Sequence, residues 1–219
     1  MEPLETIWPV FGLRLTTPRL VLRPIQDGDI PAFVEAAASG IYETRDGHIP
    51  FPTDWPNVPD MGPNSARWIW EHRIQANPGS WVIMFGVSTR DGDFLGTQDV
   101  ASKDFPSLRT ISTGSWLRRS AQGQGLGKEM RAAILLWAFD HLGADVAMTS
   151  AYDWNSSSIG VSTGLGYEPN GETRTMTSTG TVEREVRFRL SKERFRRPDW
   201  ELEVEGHAAA AAFLGVPSS

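Results

Sequence analysis

The residues best suited to chemistry form one unbroken stretch, Trp116-Leu117-Arg118-Arg119-Ser120-Ala121-Gln122-Gly123-Gln124-Gly125-Leu126-Gly127-Lys128. A strand-like run, 110–117, enters a glycine-rich turn, and the turn opens the most regular helical pattern in the chain, 127–142. The first turn of a helix has backbone N–H groups without intrahelical acceptors and a partial positive charge. Glycines let such donors approach an anion closely, so strand, turn and helix together make a pyrophosphate site. Two phosphate loops fail on spacing. The pattern GxxxxGK[ST] would need glycine where Gln122 stands, and Glu129 follows Lys128. A dinucleotide turn reads GxGxxG beside the first strand; here Gly123, Gly125 and Gly127 alternate, late in the chain. The pattern that fits is Gln122-x-x-Gly125-x-Gly127.

Composition narrows the chemistry further. With no cysteine there is no thiolate nucleophile and no thiolate metal site, and no metal is expected. The formal charge of −6 argues against a nucleic-acid partner. No run reaches the ~18–20 apolar residues of a membrane span, and the acidic start Met1–Glu5 lacks the basic, apolar character of a signal peptide. The chain reads as a soluble cytoplasmic protein. Of 21 basic residues only Lys103, Lys128 and Lys192 are lysines, a choice that reflects a GC-rich genome more than a function.

The elements that must position the glycine turn follow from periodicity. Leu20 and Leu22 share a face in a strand over 17–24. Ile30, Phe33, Val34 and Ala37 recur at helical spacing and Gly40 ends that helix. Residues 41–63 are proline-rich and aperiodic, a long loop of the kind that is usually functional. Its segment Gly47–Trp55 combines aromatic surface with stiff prolines, which predicts a preformed apolar wall made by Phe51 and Trp55, with His48 beside them. A helix over 65–75, strands over 81–88, 94–101 and 110–117, the helix 127–142, a strand over 146–151, a weak helix over 156–165, strands over 173–179 and 182–190, and a tail helix over 208–212 complete the reading. Strands outnumber helices and many are sequential neighbours, so the fold class is α+β, with one domain over 1–200 and a C-terminal tail over 201–219.

Three segments, taken in order, resemble the GNAT superfamily of N-acyltransferases. The turn Gln122-x-x-Gly125-x-Gly127 resembles its coenzyme A signature. Thr17-Pro18-Arg19-Leu20-Val21-Leu22-Arg23-Pro24 resembles the opening of the Rim-type branch, the ribosomal-protein-alanine N-acetyltransferases and their relatives. Asn155-x-x-Ser158-x-x-Val161-x-x-x-Leu165-Gly166-Tyr167 resembles that branch's later helix. The resemblance covers roughly residues 13–190. It implies a splayed, mixed, mostly antiparallel sheet flanked by helices, in which the fourth and fifth strands (110–117 and 146–151) part to admit the pantetheine arm. The donor is acetyl-CoA, or succinyl-CoA as in a related bacterial subgroup; the acceptor is an amine of a protein or small molecule; a homodimer is common. Trp116, Leu117, Arg118, the run from Gln122 through Gly123, Gln124, Gly125, Leu126 and Gly127 to Lys128, and Asn155 would hold the coenzyme. The family's usual tyrosine, seven residues after the asparagine, is here Ser162; the proton donor to the leaving sulfur then falls to Ser158. Asp99, Asp104 and Glu71 are candidate bases. A succinyl carboxylate would want Arg45, His48 or Arg109 near the acyl end. Loss of the usual tyrosine also leaves room for a coenzyme A-binding sensor without catalysis.

Overall fold

The computed structural model describes residues 2–44 and 47–216. Its helices are α1 (Leu4–Ile7), α2 (Ile30–Ala38), α3 (Met61–Gln75), α4 (Phe105–Leu108), α5 (Leu126–Leu136), α6 (Ser156–Gly164) and α7 (His207–Phe213). Its strands are β1 (Arg14–Thr16), β2 (Leu20–Pro24), β3 (Trp81–Thr89), β4 (Phe94–Ser102), β5 (Thr110–Leu117), β6 (Val146–Tyr152), β7 (Glu168–Met176), β8 (Val182–Ser191) and β9 (Glu203–Glu205). All nine strands join one open sheet in the order β7-β8-β6-β5-β4-β3-β2-β1-β9. Every neighbouring pair is antiparallel except β5 and β6. The α+β architecture expected from the sequence is therefore present.

Several boundaries differ, each for a local reason. The expected strand over 17–24 is two strands, because Pro18 cannot donate to a ladder and the Thr17 hydroxyl accepts from the Leu20 N–H at 2.9 Å, closing a turn. Helix α3 starts four residues early, at Met61; Pro63 sits in its first turn, where a missing N–H costs nothing. Strand β7 starts at Glu168, and its exposed residues show no alternation that could have revealed it. The helix expected to run to Leu142 is α-helical only to Leu136 and continues as a π-helical turn, Trp137–Leu142, closed by Gly143 at φ 73°.

The core has two sides. Helix α5 and the π turn bury Met130, Ile134 and Trp137 against Phe85, Val100 and Ile111 of the sheet. On the opposite face α2 and α3 set Phe33 and Ile69 on Ile25 and Met84. The sheet also runs across the division drawn at residue 200. Strand β9 pairs with β1 (Leu15↔Val204), and Ala210 and Leu214 belong to the main core. Gly206, at φ 71°, makes this closure possible: a Cβ there would lie 2.0 Å from the Gly12 carbonyl oxygen. Among the described residues no helix is long and apolar enough to cross a membrane.

Truncation after residue 200 should therefore destabilise the whole molecule. Losing the burial of Ala210, Ala211 and Leu214 removes roughly 3 kcal/mol, a drop in melting temperature of about 6–12 °C. A melting curve that matches the full chain would show that residues 201–216 are dispensable.

Candidate active site

The site begins where a parallel strand pair stops. β5 and β6 are in register only over Thr110↔Val146, Ile111↔Ala147 and Ser112↔Met148. β5 nevertheless continues to Leu117 against β4. Across the opening the Thr149 hydroxyl donates to the Thr113 carbonyl at 3.0 Å. Odd-numbered residues of β5 thus turn their backbone groups toward β6, and the N–H and C=O of Ser115 come next along that edge with no strand opposite. Buried backbone groups need partners, so the edge suits an extended polar ligand.

The glycine turn lies at the open end of this edge. Gly123 and Gly125 adopt φ 73° and 78°, conformations that favour glycine. The Gln122 N–H is used by the Arg119 carbonyl and the Lys128 N–H by the Gly125 carbonyl. The five N–H groups of Gly123 to Gly127 have no acceptor among the described residues. The backbone N–H groups free for an anion thus form a shorter run than Gln122 to Lys128. Gln122 shapes the turn: its side-chain Nε2 donates to the carbonyls of Ile41 and Leu117 at 2.8 and 2.7 Å. Lys128 packs its Nζ 3.7 Å from the position a Cβ would take on Gly164, at the end of α6. Arg119 pairs with Glu43, whereas the Arg118 Nε is covered and unpartnered.

A tether unforeseen from the sequence fixes the turn. Glu129, buried in the first turn of α5, accepts from the Thr17 hydroxyl (2.6 Å), the Arg19 N–H (3.0 Å) and the Arg19 Nε (2.6 Å). Arg19 also donates to the Gln124 carbonyl at 3.0 Å. The signal was the Thr-Pro-Arg spacing, which turns a hydroxyl, an N–H and a guanidinium toward one carboxylate.

At the far side of the opening Asn155 caps α6, its Oδ1 accepting from the Ser158 N–H at 3.1 Å. The Ser158 hydroxyl is half-buried and has no hydrogen bond among the described residues. Ser162 is fully buried and donates to the Ser158 carbonyl at 3.1 Å, which keeps its hydroxyl out of any reaction.

A carboxylate lies on the α2/α3 face of the opening. Asp99 stands opposite Gly114 on the paired strands, its Oδ1 covered and unpartnered. Burial pushes the Asp99 carboxyl up to about 7, partly offset by the Thr97 hydroxyl and by the charge of Arg131. A Cβ on Gly114 would meet nothing within 4 Å, so space is open beside Asp99. Asp104, at φ 51°, leads into α4, and Glu71 is exposed on α3.

Phe51 and Trp55 belong to one aromatic cluster, and its members differ in their contacts. Trp55 stacks between Phe33 (5.9 Å) and Trp116 (5.7 Å), with Phe51 at 6.3 Å. Trp116 thus gives its side chain to this cluster and, as an even-numbered residue of β5, turns its backbone toward Thr97 of β4 and away from the open edge. His48 stands apart: its Nδ1 lies 2.7 Å from Oε1 of the buried Glu183, whose Oε2 accepts from Trp154 Nε1 at 2.8 Å. Hydrogen bonds seat the loop on the β7–β8 hairpin, among them Ser178 N–H to the Pro52 carbonyl, Asp54 N–H to the Ser178 hydroxyl and the Thr179 and Thr181 hydroxyls to the Gly47 carbonyl. The covered Tyr152 hydroxyl at the end of β6 is unpartnered, and burial, Glu185 and Glu183 push its pKa up, so it remains a donor. Of the cations considered for a succinyl group, Arg45 lies outside the described residues. Arg109 is held by Asp145 at 3.0 Å, at the closed end of the β5–β6 pair.

Comparison with known proteins places this geometry. Residues 19–168 match the acetyltransferase (GNAT) domain. Among solved structures, RimJ of Mycobacterium smegmatis in complex with CoA-disulfide superposes with a TM-score of 0.68 at 16% identity, covering 93% of this chain and 95% of that one. RimL, the ribosomal L7/L12 α-N-protein acetyltransferase, in complex with coenzyme A, gives 0.64 at 14% identity, covering 80% and 94%. Spermidine N-acetyltransferase from Vibrio cholerae in complex with CoA and spermine gives 0.60 at 13% identity, covering 80% and 96%. At such identities the likeness is one of fold.

The raised Asp99 carboxyl has a consequence for stability. An unfolded aspartate titrates near 3.9, so between about pH 4 and about 7 the folded chain binds more protons than the unfolded one. Stability should fall as pH rises through that window. Asp99→Asn should remove this part of the fall and melt higher than wild type at pH 8. Parallel wild-type and variant melting curves across pH 4–8 would refute the buried-acid account.

Proposed function

Because the chain belongs to the GNAT acetyltransferase family, we propose that it moves an acetyl group from acetyl-CoA to an amine, directly and without a covalent enzyme intermediate. The observation that carries this reading is the row of unpaired N–H groups from Gly123 to Gly127 adjoining the unpaired edge of β5. The first is an anion site; the second is an extended hydrogen-bonding edge leading from it into the opening. Together they suit a pyrophosphate followed by an amide-containing arm, and the acyl donor supplies a thioester at the arm's end. Arg19, beside Gly125, and Arg118 supply positive charge near the pyrophosphate, and the Asn155 amide faces the arm.

Each remaining group then has a task. The Ser115 N–H polarises the acyl carbonyl. Asp99, with open space over Gly114, takes the proton from the acceptor amine. Ser158, whose hydroxyl has no intramolecular partner, donates to the departing sulfur. Phe51, Trp55 and the His48–Glu183–Trp154 group form the acceptor wall. A primary amine of a protein or a small molecule fits this cleft. Acetyl is favoured over succinyl because His48 and Arg109 are already engaged by Glu183 and Asp145. A homodimer is the expected assembly.

Two measurements test the donor site and the chemistry. Gly125→Glu puts a side chain and a negative charge into the anion site and should weaken coenzyme A binding ~100-fold or more in calorimetric titration; unchanged affinity would remove the reading. Incubation with acetyl-CoA and succinyl-CoA separately, followed by mass spectrometry of lysate proteins and small amines, identifies the acceptor. Catalysis by an enzyme, as opposed to a sensor, requires such a product.

Once an acceptor is in hand, Ser158→Ala should lower kcat by roughly 10²–10⁴-fold with coenzyme A affinity within a few-fold of wild type. On the acid side the rate should rise with pH through about 7, as Asp99 ionises, and Asp99→Asn should lose both the limb and most of the rate. A Ser158→Ala rate within a few-fold of wild type would pass the proton to water.

A further inference from the structure

Among the described residues Arg131 is a buried cation with no part in the steps above. It projects from α5 and is 3% exposed. Its guanidinium donates to three strands at once: Nε to Gln98 Oε1 on β4 (3.1 Å), Nη2 to the Ser115 hydroxyl on β5 (3.0 Å) and Nη1 to the Thr149 hydroxyl on β6 (3.3 Å). Ser115 and Thr149 both lie beyond the last register pair, Ser112↔Met148. The guanidinium therefore sits at the root of the opening and bridges its two banks.

The partners are all neutral. Among the described residues no carboxylate lies within 4.0 Å of the guanidinium. Asp99 is the nearest acid to influence it, from the opposite face of β4, and Tyr167, buried with an unpartnered hydroxyl, stands beside it. Burial pushes the Arg131 pKa down, but an arginine starts so high that it stays charged. Burying a charge is costly, and a protein normally pairs it with an opposite one. Three dipoles fix this cation in place without neutralising it. A simple staple between strands would not need a charge; a neutral amide or hydroxyl would serve.

We propose that Arg131 is a positioning residue that supplies an uncompensated positive charge at the root of the β5–β6 opening, where it favours negative charge on the leaving sulfur. The inference rests on the reading that the donor lies along β5, with its thioester near Ser115. A cation held by fixed dipoles in a dry site acts more strongly than one in water and needs no rearrangement as charge develops. It complements Ser158, which brings a proton to the same sulfur from the other bank.

The test uses binding, with the full-length protein and two probes, coenzyme A and desulfo-coenzyme A, which lacks the thiol. Calorimetric dissociation constants for both are measured from pH 6.5 to 9 with wild type, Arg131→Gln and Arg131→Lys. If bound thiol ionises more readily than free thiol, the preference for coenzyme A over its desulfo analogue must grow as pH rises. For a free thiol near 8.5, lowering the thiol pKa by about one unit corresponds to a preference about sevenfold greater at pH 9 than at pH 6.5. Wild type should show this rise, Arg131→Gln should be flat, and Arg131→Lys, which keeps the charge but not the three-way fork, should retain most of it. A flat wild-type curve, or an equal rise in Arg131→Gln, overturns the proposal. If Arg131→Gln does not fold, Arg131→Lys decides: a folded, coenzyme-binding variant with a flat curve overturns it as well. Failure of wild type to bind either probe would instead refute the donor-site reading itself, so the two failures are distinct.

Discussion

The whole site depends on β5 outlasting its partner. A parallel pair that ends after three residues leaves the rest of β5 with hydrogen-bonding groups on one edge and no strand to meet them. Backbone donors and acceptors inside a protein are costly when unmet. Such an edge persists only if something else keeps the strands apart and something else can fill the gap. Arg131 stands between them: its fork bonds the Ser115 and Thr149 hydroxyls, one on each bank beyond the last register pair. Thr149 adds a bond to the Thr113 carbonyl at the point of divergence. The opening is thus a constructed feature of the sheet, held by polar side chains that are themselves satisfied.

The anion turn is coupled to this opening through the first hairpin. Gln122 holds one end of the turn to Leu117, the last residue of β5, and to Ile41, at the start of the long loop. Glu129 holds the other end to Thr17 and Arg19 between β1 and β2. The turn's five free N–H groups therefore keep a fixed distance from the free edge of β5. Preorganisation of this kind lowers the cost of ordering a ligand. It also explains why a segment more than a hundred residues upstream belongs to the site: its motif builds the clamp that holds the turn.

How much of this was legible in the sequence follows the range of each interaction. The glycine turn was readable because every requirement is local: strand, αL glycines and helix start are consecutive. The Asn155 cap was readable for the same reason. The Glu129 clamp, the Arg131 fork and the His48–Glu183 pair were not, since each joins residues far apart in the chain and pairing of single charges leaves no periodic trace. β7 was read only from residue 173; its start at Glu168 escaped because exposure on both faces erases alternation. α7 coincides with the tail helix read over 208–212, whereas β9 escaped because a three-residue strand carries little pattern, although its pairing with β1 closes the sheet edge.

Strand alternation finally accounts for the division of labour. Gln98 and Asp99 are neighbours on β4, so their side chains leave the sheet on opposite faces. Gln98 turns toward α5 and receives Arg131; Asp99 turns toward α2 and α3, beside the open space over Gly114. A single peptide unit thereby separates a fixed cation from a carboxyl whose burial leaves it half-ionised near neutrality. The two do not collapse into an ion pair, because the sheet stands between them and Arg131 is already tied to Gln98, Ser115 and Thr149. In the proposed reaction each charge would serve a different part: the acid–base group an amine approaching from the aromatic wall, the cation negative charge forming in the opening. Placing both on one face would let them neutralise each other and remove both functions.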